Sequence, residues 1–134
     1  NRATDYVFSW DKMLSLSGNS AVYLLYAHVR TQSVLRRAGE FPKVEISLEE
    51  NAEIELAKGI LRFGEALESA LEGYRPHLLC DYLYELAGLL SAFWRDCRIL
   101  DSELRDSRLR LVEITGETLQ TGLGLLGIET VEQM

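Results

Sequence analysis

Cysteine is scarce in this chain of 134 residues, with only Cys80 and Cys97 present. Two thiols in strongly helical surroundings do not make the cross-linked framework of a small secreted domain. Burial as small apolar residues, in a reducing compartment, is expected for both. No apolar run approaches the roughly 20 residues needed to span a bilayer, and Asn1-Arg2-Ala3-Thr4-Asp5 shows no basic stretch leading into an apolar core. No β-strand signal of any length appears, and no G-x-G-x-x-G phosphate loop is present. Basic charge is also short: 14 Lys and Arg against 21 Asp and Glu leave a net charge of −7. Taken whole, that balance argues against a nucleic-acid binder, because neutralising phosphates supplies much of such affinity.

What is present is helical periodicity on a chain long enough for one domain with a single core. Residues 1–14 read as an irregular lead-in, a linker from a missing preceding domain, with Tyr6, Phe8 and Trp10 alternating as a half-buried segment would. Residues 15–134 read as an all-α helical bundle of about five helices. The loop Ser15-Leu16-Ser17-Gly18-Asn19-Ser20 has turn chemistry, and Asn19 or Ser20 can cap a first helix running to Ala38 and stopped by Gly39. Ser47-Leu48-Glu49-Glu50 reads as a capping box for a second helix with Ile54, Ala57 and Leu61 on one face. Gly64 is expected to break or kink that helix, and a third carries Leu67, Ala70 and Leu71 to Gly73. Pro76 suits the first turn of a fourth, where its missing amide costs nothing. There Leu79, Leu83, Leu86, Leu90, Phe93, Cys97 and Leu100 follow the 4-3 spacing of a bundle seam. A fifth, from about Leu104 to Leu126, presents Val112, Thr115, Leu119, Leu123 and Leu126. Its Gly116, Gly122 and Gly124 imply either close helix contacts or a frayed last turn.

The charge is unevenly spread. Residues 21–38 hold Arg30, Arg36 and Arg37 and no acid, whereas residues 40–55 hold six glutamates against Lys43 alone. At 100° per residue, Tyr23, Tyr26, Arg30, Ser33 and Arg37 fall within an arc of about 80°. Rings beside guanidinium groups suit unpaired nucleotides, since rings stack on splayed bases and arginines meet phosphates or base edges. The same spacing also suits tyrosines in a core and arginines reaching to solvent. His77-x-x-Cys80 has helical metal-ligand spacing, but a structural zinc site needs His28 and Cys97 to converge on it. Glu49, Glu50 and Glu53 read as a solvated helix face rather than as paired catalytic carboxylates.

Several blocks, in order, resemble the anticodon-binding (DALR-type) domain that closes eukaryotic-type arginyl-tRNA synthetases. They are Asp11-Lys12-Met13-Leu14, then Gly18 to Arg30, Leu61-Arg62-Phe63, Pro76 to Ala87, and Leu125-Leu126-Gly127-Ile128-Glu129-Thr130-Val131-Glu132-Gln133-Met134. The resemblance implies the class Ia synthetase anticodon-binding fold and a piece of a longer ligase. The whole enzyme would join arginine to its tRNA with ATP, in the cytoplasm or an organelle. It implies tRNA contacts from the loop Ser15 to Ser20, including Gly18 and Asn19, and from Tyr23, Tyr26 and Arg30. Trp94 stands where the family usually has tyrosine, which keeps stacking and loses a hydroxyl, and the family's chain end puts Met134 at the site. Lys12-Met13-Leu14-Ser15 resembles the class I Lys-Met-Ser-Lys-Ser loop but lacks the second lysine. With no His-Ile-Gly-His partner either, no catalytic residue, metal or cofactor is expected in this chain.

Implied partners are the arginine tRNA and a catalytic body in cis, with multi-synthetase assembly or self-association open. A helical protein–protein interaction module without RNA binding is the competing expectation. Binding that weakens steeply with salt separates the first from the second.

Overall fold

A computed structural model describes residues 7–13, 15 and 18–133, and among these every regular element is an α-helix. They are α1 (Trp10–Met13), α2 (Ala21–Ala38), α3 (Asn51–Leu61), α4 (Phe63–Leu71), α5 (Pro76–Asp96) and α6 (Arg105–Leu125). Between α3 and α4 the Arg62 amide still donates to the Lys58 carbonyl at 3.3 Å, and the Arg62 carbonyl accepts from Ala66 at 3.0 Å. The pair is therefore one kinked rod, and the bundle has four rods: α2, α3–α4, α5 and α6. The expected break falls at Arg62 rather than at Gly64, which lies inside α4.

The core is the buried seam of α5, with Leu79, Leu83, Leu86, Leu90 and Phe93, closed by Leu109, Val112, Leu119 and Leu123 of α6 and Leu56 of α3. The expected seam overruns the helix: α5 ends at Asp96, and Cys97 and Leu100 lie beyond it, Cys97 still buried in the core and Leu100 packed against it. Burial pushes both thiols up in pKa, so neither is an activated nucleophile.

Two expectations fail at the helix starts. Phe8 and Trp10 are exposed rather than half-buried, stacked edge-on upon each other at 5.0 Å, and α1 begins at Trp10. Tyr6 lies outside the described residues. The box at Ser47 and Glu50 is displaced by three residues: Glu50 is the N-cap of α3, and Glu53 returns its carboxylate to the Glu50 amide at 2.7 Å. Ser47 instead trades two bonds with the Ser107 hydroxyl of α6, at 2.9 and 3.1 Å. The inward face of α3 shifts accordingly, to Glu53, Leu56 and Gly59, and Leu61 points outward at 83% exposure.

The glycines of α6 divide between the two expectations. A Cβ at Gly122 would lie 2.5 Å from a methyl of fully buried Leu83, whereas one at Gly124 would meet nothing within 4 Å. Gly122 thus permits the α5–α6 approach, and Gly124 spends helix propensity without a contact in return. Gly122→Ala is expected to cost about 1–3 kcal/mol through overpacking. Gly124→Ala should gain up to about 1 kcal/mol. Paired urea melts check both, and equal shifts would refute the distinction. The α6 exit is a Schellman turn: Gly127, at φ 76°, lets the Ile128 amide reach the Leu123 carbonyl at 3.0 Å. The tail is then held to α6 by Gln120 on Thr130 and to α2 by Arg36 on the Glu132 carbonyl, each at 3.3 Å.

Candidate nucleic-acid interface

Helix α2 starts where it does because Ser20 caps it. The Ser20 hydroxyl accepts from the Tyr23 amide at 3.3 Å and donates to the Ser15 carbonyl at 2.6 Å. Ser20 is buried, so its role is to hold the loop rather than to meet a ligand. Gly18, at φ 81°, turns the chain into that cap, and the exposed Asn19 side chain donates to Asp81 of α5 at 2.9 Å. The loop is thereby fastened to the first turns of α5.

Two further contacts extend that register. Tyr23 packs on Tyr84 of α5, centroids 5.6 Å apart and planes at 59°, and the Arg30 guanidinium lies over the Trp94 ring at 5.2 Å. Pairs 19–81, 23–84 and 30–94 advance together, so α2 and α5 run parallel, with a groove rimmed by these side chains. Tyr26 stands out on the α2 side at 54% exposure, Arg30 and Arg37 are exposed, and Tyr23, Ser33 and Trp94 are half-buried. The arc foreseen along α2 is thus brought together with Trp94, and its aromatic groups are not sealed in the interior. The inner face of α2 is instead Leu24, Ala27, His28 and Thr31. Burial holds the His28 imidazole below the usual histidine pKa, against a smaller upward pull from the Val131 backbone. The contrast with a structural tyrosine is plain at Tyr82, whose hydroxyl donates to the Gly59 carbonyl at 2.9 Å and whose burial pushes its pKa up to about 12.

Electrostatics resolve the charge question left by the sequence. Among the described residues, Arg30, Arg36, Arg37 and Arg98 take part in no ion pair with a carboxylate. Of the acids of the 40–55 segment, Glu53 pairs with Arg108 and Glu55 with Lys58, neither of them on α2. Cation–π contact at an exposed site is worth about 0.5–1 kcal/mol. Trp94 therefore orients Arg30 without locking it, and the guanidinium keeps donors for an incoming anion or base edge.

Tyr84 is the groove residue that the sequence reading passed over. Its signal was available, an outward aromatic between buried Leu83 and exposed Glu85 on the strongest heptad of the chain, but its partner Tyr23 is 61 positions away. Met134 lies outside the described residues. Among those described, no group of three or more His, Cys, Asp or Glu gathers as a metal site, so His28, His77, Cys80 and Cys97 do not converge on one point. No helix among them is long and apolar enough to cross a membrane.

The family pattern of the DALR anticodon-binding domain matches residues 24–134. The chain belongs to that family. It is similar over its whole length to the arginine–tRNA ligase of Haemophilus ducreyi, 48% identical over 139 residues, which make up 25% of that protein. It is similar in the same way to that of Pseudomonas syringae pv. tomato, 49% identical over 140 residues, 24% of that protein. Among solved structures, Plasmodium falciparum arginyl-tRNA synthetase superposes with a TM-score of 0.90 at 33% identity, covering 99% of this chain and 24% of that one. The Thermus thermophilus arginyl-tRNA synthetase gives 0.83 at 39% identity, covering 90% and 22%. The chain thus spans about a quarter of the curated relatives it matches. Those relatives are bacterial, so the DALR domain is established and the eukaryotic-type form is not confirmed by them.

Proposed function

We propose that this DALR domain recognises the anticodon loop of an arginine tRNA for an arginine–tRNA ligase of which it is one part. The observation that carries the reading is the α2–α5 groove, where exposed Tyr26 and the Arg30–Trp94 pair stand side by side, and where Arg30 and Arg37 take part in no ion pair among the described residues. Unstacked bases lie against the rings, and the guanidinium groups of Arg30 and Arg37 meet phosphates or base edges. Gly18, Asn19 and Ser15 shape the approach to the groove, with Ser20 as their anchor, and Met134 follows a tail already tied to α2 through Arg36. Residues 1–14 serve as the lead-in from a catalytic body, and residues 15–134 as the recognition domain.

The whole protein, on this reading, attaches arginine to tRNA at the expense of ATP, with the chemistry carried outside this chain. Anticodon binding far from the reacting groups helps to position the acceptor end. The eukaryotic-type contact pattern, Tyr-x-x-Tyr-x-x-x-Arg, supplies the contact set in this proposal. Cytoplasmic residence and association with other synthetases belong to the same proposal.

The test is a titration of this chain with an arginine tRNA and with the same tRNA bearing a swapped anticodon. Tighter binding to the first, with affinity falling steeply as salt rises, supports the reading. Equal binding to both, or binding indifferent to salt, overturns it in favour of a protein-docking surface.

A further inference from the structure

We infer that Tyr84 is a second base-stacking residue, forming with Tyr23 a nucleotide position distinct from the one at Arg30 and Trp94. The inference rests on the anticodon reading above and deepens it. Three observations carry it. Tyr84 is a large ring left 40% exposed on a helix whose other face builds the core, and it packs on Tyr23, itself on the α2 stripe. The two rings meet at a tilt of 59° rather than in a parallel stack, and the 40% of Tyr84 that stays exposed is surface on which a planar ligand can pack. The helix face beyond it is nearly bare: Gly88 would carry a Cβ with nothing within 4 Å, and the Ser91 hydroxyl is folded back on the Ala87 carbonyl at 3.0 Å.

Spacing and charge say which part of a nucleotide belongs there. Ten residues separate Tyr84 from Trp94, about 15 Å along the helix. Successive bases in a stack are about 3.4 Å apart, so the two positions serve different nucleotides. Asp81, one turn before Tyr84, holds a carboxylate at this end and is bonded to Asn19. A carboxylate repels phosphate, whereas the arginines gather at the other end of the groove, at Arg30 and Arg37. The strand therefore presents a base, not its backbone, to Tyr84.

The probe is an arginine-tRNA anticodon hairpin carrying 2-aminopurine at single loop positions, whose fluorescence is quenched on stacking. Wild-type chain should quench at two separated loop positions. Tyr84→Leu, which keeps apolar packing on Tyr23 but has no ring face, should restore emission at one of them and weaken binding about 5- to 100-fold. Tyr84→Phe should behave as wild type, and both variants should melt as the parent does. Tyr26→Ala, run in parallel, separates the two failures. If Tyr26→Ala weakens binding while Tyr84→Leu leaves quenching and affinity untouched, the second position is refuted and the α2 site stands. If neither variant changes either signal, both the second position and the anticodon reading fall.

Discussion

Glu53→Ala is expected to destabilise this domain by about 3–5 kcal/mol, lowering its melting temperature by on the order of 10 °C or more. Glu53 is fully buried at 0% exposure, and each of its carboxylate oxygens has separate work. One accepts from the Glu49 and Glu50 amides at 2.7 Å each, closing the N-terminus of α3. The other accepts from the Arg108 Nε of α6 at 2.5 Å. Alanine would open the cap and leave a buried guanidinium with only the Arg98 carbonyl, at 2.6 Å, and the Ser102 hydroxyl, at 3.2 Å. Removing one partner of a buried pair is costly because the other charge stays behind. A measured loss below about 1 kcal/mol would mean that water reaches Arg108 and that the pair is not sealed.

The same site fixes a pH dependence. Burial pushes the Glu53 carboxyl up in pKa, but the Glu50 amide, the Arg108 guanidinium and the Glu49 amide together outweigh it and hold the group below the usual glutamate value. A carboxyl depressed in the folded state contributes its full stability above the unfolded value, about 4.3. That contribution is lost as pH falls through the lower folded value. The stability gap between wild type and Glu53→Ala should therefore be widest near neutrality and shrink progressively below about pH 4. Urea melts at three pH values measure it, and a gap that widened in acid would reverse the assignment.

Glu53 also shows where sequence reasoning stops. Glu49, Glu50 and Glu53 read as one solvated helix face, and Glu49 and Glu50 are indeed exposed. Glu53 differs because Arg108 waits for it 55 positions later, and no local pattern reports that. The displaced capping box is the same failure on a smaller scale. Serine is the better N-cap in isolation, but Ser47 is drawn into a bond pair with Ser107, and α3 starts later. Elements governed by their own periodicity were legible: α2 from Ser20 to Gly39, the α5 seam through Phe93, and the inward residues of α6. The stripe of Tyr23, Tyr26, Arg30, Ser33 and Arg37 was legible as an arc on α2, since spacing alone determines it. Its outward direction and its pairing with Tyr84 and Trp94 needed the parallel packing of α5, a contact between segments 60 positions apart. The tally of charges misled for a like reason. A net −7 belongs to the whole chain, whereas Arg30 and Arg37 of the groove are among the arginines that make no ion pair among the described residues.

Tyr26→Ala should lower affinity for an arginine tRNA about 5- to 100-fold, the loss of one stacked base, with helix content nearly unchanged. The side chain is 54% exposed and lies outside the buried core. Its removal deletes a ligand surface and opens no cavity. Because a phenol ring bears no charge, the slope of affinity against salt should stay at the wild-type value. Arg30→Ala acts through the other term. If its guanidinium lies on a phosphate, one fewer counterion is released on binding, and the slope should fall by about 0.7. If it lies on a base edge, the slope persists and the preference for the arginine anticodon relaxes instead. The two variants thus dissect the groove into a stacking contribution and an ionic one, measured on the same titration. Unchanged affinity for Tyr26→Ala would return that ring to a purely structural role. An Arg30→Ala titration unaltered in both slope and preference would remove Arg30 from the interface.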